Sequence, residues 1–280
     1  MSDKCPNSRR NLDLAIERMF GHSANIIQIK VIMANAIIGQ LLPSGVVKGG
    51  SAMKLRYGDA TTRFTSDLDT ARGINLTKYL DELERALKIG WNGFTGRLVI
   101  KSPANPQNVP ADYIMQPYDV KLEYNGKSWI TVRIEIGHDE IGDTDHPDYL
   151  ISKDIREIFL KLNFPEPKPI ALLPIHHQIA QKLHALSSLN SERAHDLIDL
   201  QLIIQHEPVD LPLVHTACNR LFESRRQQSW PPVIIKGYTW DKLYSSQIGR
   251  LPVAQNVDEA IDVINKFILK ICKPQKSNSP

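Results

Sequence analysis

Residues 46–72 read VVKGGSAMKLRYGDATTRFTSDLDTAR, and this stretch decides the fold. Val46 and Val47 are β-branched and apolar, which suits a short buried strand. Gly49-Gly50-Ser51 interrupts them, and residues 52–57 have the composition of a short helix. Residues 63–71 read as a second strand that carries Asp67 and Asp69. Positions i and i+2 of a strand point to one face. The spacing therefore predicts that both carboxylates enter one site, with Leu68 packed behind them.

Two carboxylates on one rigid edge suit a hard divalent cation, whose octahedron substrate phosphate oxygens complete. The Gly49-Gly50 amides and the Ser51 hydroxyl stand at a helix start, where N–H groups and the helix dipole favour phosphate. A phosphate cradle beside a carboxylate metal site points to phosphoryl-transfer chemistry on a nucleotide. Gly-Gly alone would be only a turn, and Asp-x-Asp alone only a solvated loop. Their order, with sixteen residues from Ser51 to Asp67, is what separates the two readings.

The same residues resemble the nucleotidyltransferase signature of the DNA polymerase β-like superfamily. The fuller string, Lys48-Gly-Gly-Ser-Ala-Met-Lys-Leu-Arg-Tyr-Gly followed by Arg63-Phe-Thr-Ser-Asp-Leu-Asp, is similar to the bacterial AbiEii/AbiGii toxin branch. That branch typically has an aromatic or apolar residue after the second Asp. Thr70 stands there instead and leaves the ligands untouched.

At 280 residues, 42% hydrophobic and 23% charged, the chain can bury a core and hold one large or two medium domains. A net charge of +3 does not by itself indicate nucleic-acid binding. Cys5, Cys218 and Cys272 have no paired spacing, so neither a disulfide framework nor a zinc site is suggested and a reducing cytoplasm is expected. The polar start of the chain lacks a signal-peptide core. The apolar run 26–38 is broken by Gln28 and Lys30 and is too short to span a bilayer.

Helical spacing over residues 11–20 puts Leu12, Ile16 and Phe20 on one stripe, and residues 24–42 form a longer helix stopped by Pro43 and Gly45. Residues 77–88 are amphipathic, with Leu80, Leu83 and Leu87 inward. Residues 97–101 form a strand, residues 103–110 a Pro- and Asn-rich loop. Residues 118–124 and 128–136 are strands joined by Asn125-Gly126, a strong hairpin turn. Alternation sets Arg133 and Glu135 against Val132, Ile134 and Ile136. Glu135 is either an exposed strand residue or a third site acid, with Glu123 the fallback. The acids and histidines of residues 138–148 lack ligand spacing and read as a solvated loop.

After Pro174 the chain turns helical. Ile175, Ile179, Leu183 and Leu186 make one stripe with Lys182 beside it; Ser191 is a candidate cap for a helix over 192–205, where Asp196 and Asp199 share a face. Helices are also expected over residues 211–222 and 257–270, and a frayed tail over 274–280. Between them Arg225, Arg226, Trp230, Lys236, Tyr238, Trp240 and Lys242 interleave cations with aromatics, which suits RNA and equally suits packing.

The resemblance extends to this half. Gln-Lys182-Leu-His-Ala-Leu and Arg193-Ala-His-Asp196-Leu-Ile-Asp199-Leu are similar to the second block of AbiEii-type proteins, in which a lysine and an aspartate from the helical half close over the active site. The expected fold is α/β (α+β): a small mixed sheet nucleotidyltransferase core with flanking helices over residues 1–165, then a helical domain over 166–280 closing the cleft.

The resemblance implies a Mg²⁺-dependent nucleotidyltransferase toxin of a type IV-like toxin–antitoxin pair, with Mn²⁺ a substitute ion. Asp67, Asp69 and Glu135 would hold metal. Lys48, Gly49, Gly50, Ser51, Arg56 and Asp199 would bind NTP. Lys182 and Arg56 would neutralise developing charge, and Asp196 would position nucleotide or acceptor. The acceptor is expected to be RNA, tRNA 3′ ends first, with a protein hydroxyl as the other choice. An antitoxin protein is the expected partner. A silent nucleotide-binding module and an unrelated scaffold are the alternatives.

Overall fold

The computed structural model describes residues 4–21, 25–102 and 116–273. The expected loop at 103–110 and tail at 274–280 lie outside the described residues. The chain divides into two compact units: Met1–Ala60, Phe64–Asp139 and Thr144–Leu173 form the first, and Thr61–Arg63, Glu140–Asp143 and Pro174–Pro280 the second.

In the first unit, α1 (Arg9–Phe20) and α2 (Asn25–Leu41) precede β1 (Gly45–Lys48), α3 (Gly49–Tyr57), β2 (Leu68–Arg72) and α4 (Leu76–Ile89). Then come β3 (Phe94–Ile100), β4 (Gln116–Tyr124), β5 (Lys127–His138), β6 (Asp148–Leu150), α5 (Lys153–Lys161) and β7 (Ile170–Leu172). Among the described residues these strands make one mixed sheet in the order β3-β4-β5-β2-β1-β7-β6. β1 runs antiparallel to β2, whereas β2 runs parallel to β5. The β4–β5 hairpin turns on Asn125 and Gly126 at φ 47° and 72°, both positive as a two-residue turn of that twist requires.

Alternation along β4 and β5 buries Val120, Leu122, Val132, Ile134 and Ile136 in one core with Ile32, Met33 and Ile37 of α2 and Tyr79, Leu83 and Leu87 of α4. The 3.6-residue period of α4 puts Tyr79, Leu83 and Leu87 on one stripe. Asn75 caps the helix by accepting from Thr77 N at 2.9 Å. Each fully buried Leu contributes about 2 kcal/mol, and Leu83→Ala would cost about 2–5 kcal/mol through the cavity left behind.

The second unit holds α6 (Ile175–Leu186), α7 (His195–His206), α8 (Leu211–Arg225), α9 (Trp240–Ile248) and α10 (Val257–Cys272). Leu183, Leu197, Leu200, Leu221, Trp240 and Ile264 are fully buried. Tyr244 is held by Gln201 Nε2 at 3.1 Å and donates to Ala254 O at 2.7 Å, which satisfies its hydroxyl inside the core. No described helix is long and apolar enough to cross a membrane.

Several local expectations are corrected. The second strand is Leu68–Arg72, not 63–71, so Asp67 precedes it rather than lying on it. Helix α3 begins at Gly49, making Gly-Gly-Ser its first turn. α7 begins at His195, so Ser191 is not its cap; its hydroxyl instead donates to Ala185 O at 2.8 Å. β6, β7, α5 and α9 were not anticipated: two are three-residue strands and two are nine-residue helices, of which α5 has Ile155, Ile158 and Phe159 on one stripe.

Candidate active site

Three adjacent strands carry Lys48, Asp69 and Glu135. Lys48 on β1 faces Asp69 on β2, and Asp69 faces Glu135 on β5. Asp67 stands one residue before β2. Burial raises the Glu135 pKa, and Asp69 and then Asp67 push it further up, against Arg133 and Lys48. The five charges therefore act on one another. Setting like charges opposite one another costs stability, so this arrangement favours a cation or a proton among the carboxylates.

The glycine turn fits against the acids. Gly49 has φ +64°, and a Cβ there would run into the Asp69 carboxylate. Only glycine adopts that backbone freely and leaves that space. Ser51 is buried, donates to Asp67 O at 2.5 Å and accepts from Asn35 Nδ2 at 3.3 Å. Its one proton thus holds the Asp67 backbone, where the sequence reading placed it on a triphosphate. Ser66 Oγ donates to Asp67 Oδ1 at 3.0 Å.

Arg56, expected to bind nucleotide, has partners within the first unit. Its guanidinium pairs with Asp148 at 2.6 Å and donates to Leu173 O at 3.2 Å, with 7% of the side chain exposed. It fastens α3 to β6 and the end of β7.

The second unit gathers the other block. Lys182 is 4% exposed, with Nζ at 2.6 Å from Asp196 Oδ1 and 2.6 Å from Asp199 Oδ2. Arg193 Nε donates to Asp196 Oδ2 at 2.8 Å. Arg63 donates to both oxygens of Asp199, at 2.9 and 3.0 Å. Burial would raise the two carboxyl groups, but Arg193 and Lys182 hold Asp196 well below its usual range, and Arg63 and Lys182 do the same for Asp199. Lys182 is thus a buried, doubly paired cation. Arg63 was the residue missed as a participant. Its signal was only its place, four residues before Asp67.

The mixed basic and aromatic stretch is mostly structural. Arg225 forks onto Glu140 with both bonds at 2.7 Å, Trp240 is fully buried, and Lys236 pairs with Asp241 and Asp258 at 2.8 and 3.1 Å. Tyr238 is fully exposed, and Arg226 and Lys242 are exposed as well.

A family model described as nucleotidyl transferase AbiEii toxin, Type IV TA system, matches residues 32–265. The chain belongs to this family. It is a nucleotidyltransferase toxin, and AbiEii membership implies an NTP substrate and an antitoxin partner. Among solved structures, the fold is similar to the nucleotidyltransferase toxin MenT4 of Mycobacterium tuberculosis H37Rv, at 15% identity, covering 94% of this chain and 90% of that one, with a TM-score of 0.60. JHP933 from Helicobacter pylori matches at 18% identity over 89% of this chain and 92% of that one, with a TM-score of 0.44. No curated protein matches the chain significantly.

Among the described residues, no group of three His, Cys, Asp or Glu side chains is close enough to hold an ion alone. Asp67 and Asp69 offer carboxylate oxygens of the kind a hard divalent cation takes, with substrate phosphates to supply its other ligands.

Proposed function

We propose that this AbiEii enzyme transfers NMP from NTP to a 3′ hydroxyl of RNA, tRNA first, with Mg²⁺ as the working ion. The observation that supports this most is the register Lys48–Asp69–Glu135 across three strands, with Asp67 immediately before them. When bound, Mg²⁺ held by Asp67 and Asp69 supplies charge neutralisation at the phosphates.

The chain's own residues then divide the work. The Gly49 and Gly50 amides open α3 toward an anion, and Gly49 keeps the space beside Asp69 free of a side chain. Ser51 is a positioning residue that fixes Asp67 through its carbonyl. Glu135, whose carboxylate is made more basic by burial and by Asp69, takes the proton of the attacking hydroxyl. The acceptor oxygen bonds to the α-phosphorus as the bond to the bridging oxygen breaks, and pyrophosphate leaves. Lys48 offers a cation at the same edge. Lys182, Asp196 and Asp199 act as positioning residues that hold Arg63 within the second unit.

Incubating the protein with each α-³²P-labelled NTP, Mg²⁺, total cell RNA and a cell protein fraction tests this. Label on RNA that vanishes with chelator is the expected result. Label on protein alone would replace the acceptor, and binding of NTP with no labelled product and no pyrophosphate would overturn the reading.

A further inference from the structure

The face of the sheet that carries Asp69 and Glu135 continues over β5, β4 and β3. Alternation buries Val120, Leu122, Val132 and Ile134 on the opposite face, so this one presents Arg133, Thr131, Lys121 and Arg97. The register pairs Asp119 with Arg133, Lys121 with Thr131, and Arg97 with Lys121. Arg133 is two residues from Glu135, about 7 Å along the strand. Lys121 is its diagonal neighbour, about 7–8 Å away, and Arg97 lies directly across from Lys121, about 5 Å further. A line of cations thus leads outward from the carboxylates.

Two of these cations are unexplained by folding. Among the described residues, neither Arg97 nor Lys121 forms an ion pair, and they stand directly opposite one another, an arrangement that lowers stability. Two acids flank Lys121 on the same strand face, and neither is in an ion pair with it or with Arg97. Asp119 is taken by Lys101 at 3.2 Å, and Glu123 lies a further step out, opposite Thr95. Arg133 reaches back to Glu135 at 3.2 Å with 48% of its side chain exposed.

We propose that this open face is the track of the acceptor strand: RNA, its 3′ hydroxyl at the carboxylates, lays successive backbone phosphates on Arg133 and then between Lys121 and Arg97. This rests on the RNA-acceptor reading above. A polyanion is the occupant that relieves the Arg97–Lys121 repulsion. Contacts to phosphate alone carry no base preference, so the track fits an end region shared by many RNAs.

The test uses the full chain and a short 5′-fluorescein RNA oligonucleotide with a free 3′ hydroxyl, binding being followed by anisotropy over a salt series. The variants are Arg97→Gln/Lys121→Gln and Arg97→Glu/Lys121→Glu. The Gln pair is expected to lower the slope of log affinity against log salt by about 0.7, the one phosphate held between the two cations on a single strand. The Glu pair is expected to weaken binding tenfold or more, while protection of melting by NTP with Mg²⁺ persists in both and the melting temperature of the Gln pair does not fall. Unchanged slope and affinity, or weaker binding at an unchanged slope, overturns the track. A parent protein that is protected by NTP yet binds and labels no RNA overturns the acceptor reading itself, and the track with it.

Discussion

Arg63 lays its guanidinium flat against Asp199, Nε to Oδ1 at 2.9 Å and Nη2 to Oδ2 at 3.0 Å, with the carboxylate 1% exposed. A fork matched to both oxygens of a buried carboxylate is something a lysine cannot reproduce. Arg63→Lys is expected to cost about 1.5–3 kcal/mol, the scale of a lost hydrogen bond to a charged group. Urea unfolding measures it, and a midpoint equal to the parent's would mean the fork contributes nothing.

Lys182→Ala leaves Asp196 and Asp199, both fully enclosed, without a shared cation. Breaking a buried pair from one side costs about 3–5 kcal/mol. The expected outcome is a large fall in denaturation midpoint, the reverse of what an exposed lysine on an amphipathic helix would give. Lys182→Arg should also destabilise, because the larger planar group must fit a site sized for an ammonium.

Asp69→Asn keeps size and loses charge opposite Glu135. Transfer should collapse while folding persists, and the melting temperature should hold or rise because a like-charge pair is gone. Near-parent transfer by a folded Asp69→Asn protein would sink the carboxylate assignment.

Gly49→Ala tests the cradle differently. A Cβ there meets the Asp69 carboxylate and the residue sits at φ +64°. The substitution should cost about 1–2 kcal/mol in backbone conformation and lower transfer further than it lowers stability, read by comparing turnover at a temperature where both proteins are folded.

Acidification gives a signed prediction. Burial, with Arg225 beside His184 and despite Asp196 beside His195, lowers both histidines from 6.5 to about 4. Between those values the unfolded chain binds protons that the folded chain refuses, so stability falls as pH falls, by at most about 1.4 kcal/mol per pH unit for each histidine. Asp196 and Asp199 work in the next window. Their folded values are depressed, so their contribution is complete above the unfolded value of 3.8 and is lost as pH drops below it. Denaturant midpoints at pH 7 and 5 should differ, and His184→Gln, which can still accept from Arg225, should reduce the difference. Equal differences in parent and variant would remove His184 from the account.

The residues whose chemistry is local were legible in the sequence. Gly49 needs no partner to announce a turn, Asn125-Gly126 fixes a hairpin by its own backbone preferences, and alternation in β5 separated Glu135 from Val132 and Ile134. What was not legible depends on distant partners. Ser51 looks like a phosphate ligand until the Asp67 carbonyl is found against it. Arg56 looks available until Asp148 is found beside it. Lys182 looks solvated because α6 carries its acids on another helix. The strands β6 and β7 are too short to show a period and exist only because β1 offers an edge to β7, and β7 one to β6.

The placement of β2 between β1 and β5 also bears on how such a protein is made. Asp67 and Asp69 leave the ribosome long before Glu135, and β5 can reach β2 only after the whole β3–β4 segment has been synthesised. Pairing across that separation in sequence is slow compared with helix formation. The two aspartates are therefore translated before the strand they register against, and the three acids come together only after the β3–β4 segment is complete and β5 has closed onto β2.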